Sequence, residues 1–259
     1  MQVFRVFWDA LKNLWEELFL LVLMNIVTIV FAIPVLTFPP ALAGLWTAAN
    51  RAANGKSIHW SDYFEGFRRY LWKAWGLALL NILVALVVFV NFRFYALDVV
   101  PFDISPTLSM WIRASFVGCA ILWLMVQMYT MALLLEQHDK RLRVALRNAA
   151  VLLIAHPGFS IALALLLLAV AALSTAIPVL WVLLTLALFG VVCNKAVIHL
   201  LEPYRERARA EEEADTADVE PDRLRSAASA DETAEESEGR SDGEELEEAV
   251  CGDGGRSGR

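Results

Sequence analysis

The chain has 259 residues, 58% of them hydrophobic, and a mean hydropathy of +0.52, which is too apolar for an ordinary soluble domain. The net charge of −7 hides two opposed regions: from Glu211 onward there are 18 acidic and 5 basic residues, and before it 11 acidic and 17 basic. Because the basic residues sit at the edges of apolar runs, membrane topology accounts for them, and they do not point to a nucleic-acid partner.

Residues 1–17 place Val3, Phe4, Phe7, Trp8, Leu11, Leu14 and Trp15 at helical spacing, with Arg5, Asp9, Lys12, Asn13, Glu16 and Glu17 on the other side. This pattern predicts an amphipathic helix at the membrane interface, its tryptophans suited to the headgroup layer. The apolar run Leu18–Thr37 that follows is long enough for a first span. Ala41-Leu42-Ala43 mimics a signal-cleavage site, but the run exceeds the usual signal length and the leading segment is not basic, so an uncleaved segment is expected.

Pro34 should end or kink that helix, and from Pro40 a short helix over 40–54 is predicted, proline suiting a first turn. Gly44, Ala48 and Ala52 form a small-residue stripe that permits close helix approach. The expected partner is the second or third span, and Ala49→Leu, about 140° away on the wheel, is expected to be tolerated better than Gly44→Leu if that side faces lipid. The helix is too short for an ordinary span, so it is read as either a tilted, re-entrant segment or a surface helix. Asn54-Gly55 should end it, and Ser61 or Asp62 should cap the next helix.

This next helix has an aromatic stripe of Tyr63, Phe64, Phe67, Tyr70 and Leu71, with Arg68, Arg69 and Lys73 supplying charge. Further spans are expected near 74–92, 114–135, 155–174 and 178–198, the last two joined by a turn at 174–178. A loop at 93–109 carries Asp98, Asp103, Pro101 and Pro106, and a second basic stretch holds Lys140, Arg141, Arg143 and Arg147. Both basic stretches are read as contacts for anionic lipid or a protein partner. Counting Lys and Arg places them, and the C-terminus, on the cytoplasmic side of a plasma membrane. Five spans then put the N-terminus outside; if 40–54 dips through the membrane, it moves inside.

Residues 206–259 are low in hydrophobicity and highly charged, a composition that cannot offset ordering entropy, so a disordered acidic tail is expected. Truncation after Arg209 should leave membrane insertion intact. The fold class that results is all-α: a polytopic membrane domain of about five transmembrane helices over 18–205, with amphipathic interfacial helices and the acidic tail.

The stretch Ile33-Pro34, then Pro40-Ala41-Leu42-Ala43-Gly44-Leu45, Arg51, Gly55 and Asp62-Tyr63-Phe64-Glu65-Gly66-Phe67-Arg68 resembles the YesL-type family of small membrane proteins over roughly residues 1–205. Pro34, Pro39, Pro40, Gly44, Ala48 and Ala52 are the candidate motif residues, with Pro39 standing where the family usually has glycine. The resemblance implies a link to carbohydrate uptake, with a carbohydrate ABC transporter or another membrane protein as partner.

No catalytic site, cofactor site or metal site is predicted. Cys119, Cys193 and Cys251 are scattered and form no CxxC, and His59, His138, His156 and His199 lie on separate segments. There is no HExxH, GxSxG or phosphate-binding glycine loop. His138 and Asp139 adjoin, but neighbours on a helix do not face one another. The mid-span polar residues Asn25, Thr28, Asn81, Gln127 and Thr130 are all neutral, which fits helix packing better than a proton or ion pathway. The sequence therefore supports an accessory or scaffold membrane protein rather than an enzyme; a small transporter or channel subunit is the alternative.

Overall fold

The computed structural model describes residues 2–95, 105–137 and 140–212. Asp98, Pro101 and Asp103, His138 and Asp139, and the expected disordered stretch from 213 onward with Cys251 lie outside the described residues. The chain divides into two units, Met1–Leu201 and Glu202–Arg259. Of the second, residues 202–212 are helical and exposed, so helix continues past the expected boundary at 206.

The first unit is helical, with no strand among the described residues. In chain order the helices are α1 (Gln2–Glu16), α2 (Leu18–Ala32), α3 (Phe38–Ala53), α4 (Trp60–Arg69), α5 (Leu71–Phe94), α6 (Pro106–Glu136), α7 (Leu142–Ala155), α8 (Pro157–Ala176) and α9 (Trp181–Glu212). Four of them, α5, α6, α8 and α9, are long and apolar enough to cross a membrane. A fifth would exist only if α1 and α2 counted as one span, and these meet at 89°.

Within the expected first span, 18–37, the helix is shorter than the apolar run. A 15-residue α2 reaches only about 22 Å, short of a hydrocarbon core of about 30 Å. Pro34 brings no amide of its own to continue the ladder, and the helix stops at Ala32, with Ile33 as its cap residue. The chain then reverses through 33–37, with Val35 at a φ of 42°.

The short helix α3 begins at Phe38, two residues before its predicted start, and most of its residues are buried in the bundle. Ala41, Ala43, Gly44, Leu45, Ala48, Ala49, Ala52 and Ala53 are all buried, with α1, α2, α4, α5 and α6 packed around it. Ala49 has no exposed surface, so the condition for its tolerance, a lipid-facing side, is not met. A methyl built on Gly190 of α9 would lie 2.8 Å from the Ala49 Cβ, so α9 occupies that side. The small residues are distributed around α3, and each face admits a neighbour.

Other boundaries shift for local reasons. α4 starts at Trp60 with His59 as its cap residue, rather than Ser61 or Asp62. Asp62 is the third helical residue, and its carboxylate accepts the His59 amide at 2.8 Å. Only Tyr70 separates α4 from α5. α6 begins at Pro106, eight residues ahead of its predicted start, with Ser105 accepting the Leu108 amide. α7 and α8 are broken apart at His156-Pro157, and the final turn falls at 177–180. Gly55, at a φ of 66°, ends α3 as expected.

In α1 the aromatic residues Phe4, Trp8 and Trp15 point outward, while Val6, Ala10 and Leu14 are buried against the bundle. The predicted polar face is also used: Asn13 donates to the carbonyls of Ala52 at 3.1 Å and Ala53 at 3.3 Å.

Candidate functional site

α2, the 33–37 turn and α3 form a helical hairpin, and its two ends are built differently. At the tip, the exposed residues Ile33, Val35 and Leu36 are apolar, as suits hydrocarbon rather than water. Backbone groups in hydrocarbon need partners. The Val35 amide donates to Ala32 O at 3.0 Å, Leu36 to Pro34 O, Phe38 to Val35 O at 3.3 Å and Ala41 to Thr37 O at 3.0 Å. Pro34, Pro39 and Pro40 have no amide hydrogen to satisfy. Two of the first three positions of α3 are proline, so the orphan donors of a helix start are largely absent. This is the physical use of the three motif prolines.

At the other end, the carbonyl terminus of α3 is surrounded by polar side chains from four elements. Asn13 of α1 and Lys195 of α9 both donate to Ala53 O, the lysine at 3.2 Å. A cation there also complements the negative end of the helix. Asn50 donates to Glu136 Oε1 of α6 at 2.7 Å and to Asn194 Oδ1 of α9 at 3.0 Å. Asn54 donates to the same Glu136 oxygen at 3.0 Å. Arg51 pairs with the nearly buried Asp62 at 3.1 Å. Asn13, Asn50, Asn54, Glu136, Asn194 and Lys195 were not among the sequence candidates as a group. The signal was there in part: Asn50 and Asn54 are four apart, on one helix face.

The flank of the hairpin explains the motif glycine. A methyl on Gly44 would lie 2.6 Å from the Tyr63 carbonyl oxygen, and one on Gly66 would overlap the Thr47 side chain. α3 and α4 thus touch backbone to backbone, and α4, rather than the expected second or third span, is the neighbour that Gly44 admits. Ala48 and Ala52 are buried in the same core. The contact seats Tyr63, fully buried, within 3.1 Å of Thr28 Oγ1 of α2. Burial pushes the Tyr63 phenol above its ordinary pKa, and the Thr28 bond offsets part of that rise.

The two basic stretches come together in part. Tyr70, between α4 and α5, has the Arg69 guanidinium 6.0 Å, the Lys73 ammonium 5.4 Å and the Lys140 ammonium 5.9 Å from its ring centre. Lys140 also donates to Leu135 O at 2.6 Å, and Arg69 pairs with Glu65 at 3.2 Å. Arg68, Arg141, Arg143 and Arg147 are exposed.

Of the neutral mid-span residues, Asn25 is fully buried and donates to Trp181 O and Val182 O while accepting the Ala187 amide. These groups belong to a π-turn, Trp181–Thr185, that opens α9, and to the residues just after it. Thr130 bonds its own helix at Val126 O, and Asn81 accepts from Trp123 Nε1 at 2.9 Å. Gln127 Nε2 is buried without a partner. Among the described residues, no three His, Cys, Asp or Glu side chains gather to hold a metal ion.

Residues 18–92 match a family described as "Protein of unknown function, DUF624". The matched stretch runs from the start of α2 almost to the end of α5, so it contains the hairpin, the Gly44–Tyr63 contact and the Arg51–Asp62 pair. No curated protein and no solved structure matches the chain.

Proposed function

We infer that the protein is an accessory or scaffold component of the plasma membrane that works by contacting other membrane proteins rather than by catalysis. The observation that carries this reading is α5. It is 24 residues long, yet Ala74, near its first turn, is its one buried residue. Leu79, Ile82, Leu83, Leu86, Phe89 and Val90 are all more than half exposed. A span anchored at one end offers its flank to a neighbouring helix. The interior supports the same reading, since Asn25, Thr28, Asn50 and Asn194 are engaged in holding helices together.

The match over 18–92 fits the YesL-type resemblance, which in turn suggests a carbohydrate ABC transporter as partner. The basic layer at the C-terminal ends of α3 and α6 is then cytoplasmic by the positive-inside rule, and so is the C-terminus. Photo-crosslinkers at Leu83 and Leu86, followed by purification in a mild detergent, test the reading. A crosslinked transporter component is the expected product. No crosslink, together with unchanged growth on sugars after deletion, would overturn it.

A transporter or channel subunit draws on one observation, the unpartnered Gln127 amide beside Asn81. Against it, Asn25, Thr28 and Thr130 are tied into the bundle by hydrogen bonds. Substrate flux in proteoliposomes holding this protein alone would decide for that reading.

A further inference from the structure

Between α5 and the bundle lie two apolar grooves, of about 450 and 630 Å³. The first is walled by α3, α5 and α6, with Trp46, Ala74, Ala78 and Met131 in its lining. The second continues between α5 and α6 past Ala85 and Phe92. They meet at Asn81 and Gln127, which line both. From Ala74 to Phe92 the path along α5 is about 27 Å, close to the thickness of the hydrocarbon core.

The first groove opens one residue from Lys73. There the Arg69, Lys73 and Lys140 cations stand around the buried Tyr70, whose ring packs with Ala43, Ala74 and Met131. Glu65 is the carboxylate paired there, with Arg69. A cation cluster at the interfacial end of a membrane-deep apolar groove fits one occupant in both its parts. We propose that this groove is a binding site for an anionic phospholipid. Its phosphate sits at Arg69 and Lys73, and one acyl chain lies along α5 past Ala78.

The site also makes sense of α5, since a lipid would fill the space between this helix and α6. It goes beyond the scaffold reading and does not rest on it: the groove can hold lipid whether or not α5 recruits a transporter.

The test uses the full chain, stripped of lipid in detergent and titrated with dioleoyl phosphatidylglycerol, dioleoyl phosphatidylcholine or inorganic phosphate, with bound mass read by native mass spectrometry. Each cation near an anionic surface contributes roughly fivefold in binding. Phosphatidylglycerol should therefore bind about 30-fold more tightly than phosphatidylcholine, and Arg69→Gln/Lys73→Gln should erase the difference. Ala78→Trp, which fills the first groove, should weaken both lipids. Inorganic phosphate should neither bind nor displace phosphatidylglycerol. Continued protection of the buried Cys193 thiol marks a folded variant. If Ala78→Trp exposes it, Ala85→Phe in the second groove takes its place. Equal binding of the two lipids, indifference to the charge variants or the groove variant, or displacement by inorganic phosphate would overturn the proposal.

Discussion

Asn25 and Ala187, 162 positions apart in sequence, meet inside the bundle, where the Asn25 side-chain carbonyl accepts the Ala187 backbone amide at 3.1 Å. The same side chain donates to Val182 O at 2.6 Å and Trp181 O at 3.0 Å, so one amide joins the middle of α2 to the widened first turn of α9. π-turns are rare and often sit at functional positions. Here Thr185 reinforces the turn, donating to Leu180 O and lying 2.8 Å from Ser174 Oγ of α8. One side-chain network therefore joins α2, α8 and α9.

Asn25→Leu removes both donors and the acceptor while keeping the number of side-chain heavy atoms. Interhelical side-chain bonds in membranes average about 0.6 kcal/mol and reach about 1.7. Three bonds to fixed backbone groups are lost at once, so a loss of about 1.5 kcal/mol is expected. Reactivity of Cys193 with a fluorescent maleimide during heating, in a Cys119→Ser/Cys251→Ser background, measures it. A melting temperature equal to that of the parent would show that the π-turn holds itself.

The second prediction concerns α3. Gly44→Leu must displace the Tyr63 backbone, and overpacking of this kind costs about 1–3 kcal/mol. Sequence pattern alone predicts that Ala49→Leu is the gentler change. With Ala49 fully buried against Gly190, it should be at least as damaging. Gly190→Ala should destabilise from the opposite side of the same contact. Thermal stability in detergent ranks the three, and a well-tolerated Ala49→Leu would mean that α9 does not pack there.

Helix position and helix burial are recorded differently in this chain. Helix positions could be read because apolar runs, prolines and Gly55 mark them directly. In a soluble protein, burial would have been readable too, since polar residues mark the wet side. In lipid that contrast vanishes: Ala49 packed on α9 and Leu83 facing outward are equally apolar. What the sequence does record is size, and α3 is small on several sides because several helices approach it. The polar layer was hidden for a different reason. Asn13, Asn50, Glu136 and Lys195 lie far apart in the chain, and only the hairpin brings them together. The Tyr70 cluster was half legible, since the cations were visible but not their shared ring.

Asp62 gives a third prediction. It is nearly buried, pairs with Arg51 at 3.1 Å and accepts the His59 amide at 2.8 Å. Asp62→Ala loses the ion pair between α3 and α4 together with the cap of α4. Hydrogen bonds to a charged group contribute about 1.5–3 kcal/mol, and a loss within that range is expected. Arg51→Met should cost less, because the cap bond survives and the arginine side chain is 41% exposed. Melting temperatures of the two variants give the order, and a larger loss in Arg51→Met would place the energy in the ion pair instead.

The last prediction is topological. Asn13 of α1 bonds the end of α3, Asn50 of α3 bonds Glu136 at the end of α6, and Lys195 of α9 bonds Ala53. These four positions therefore occupy one layer. α2 leaves that layer and α3 returns to it, and each arm is only about 22–24 Å long. With an apolar tip at Ile33, Val35 and Leu36, the hairpin is expected to dip into the membrane and turn back without placing its tip in water. Residue 13 should then lie on the same side as residues 56 and 140, and opposite the 177–180 turn. Single cysteines at Lys12, Lys56, Lys140 and Val179, in a chain without its three native cysteines, can be labelled with an impermeant maleimide in intact cells. The first three should stay unlabelled until the membrane is opened, and the cysteine at Val179 should label at once. Leu36→Cys should resist the reagent from both sides. Labelling of the Lys12 cysteine in intact cells would make α2 a full crossing and return the N-terminal helix to the outer face.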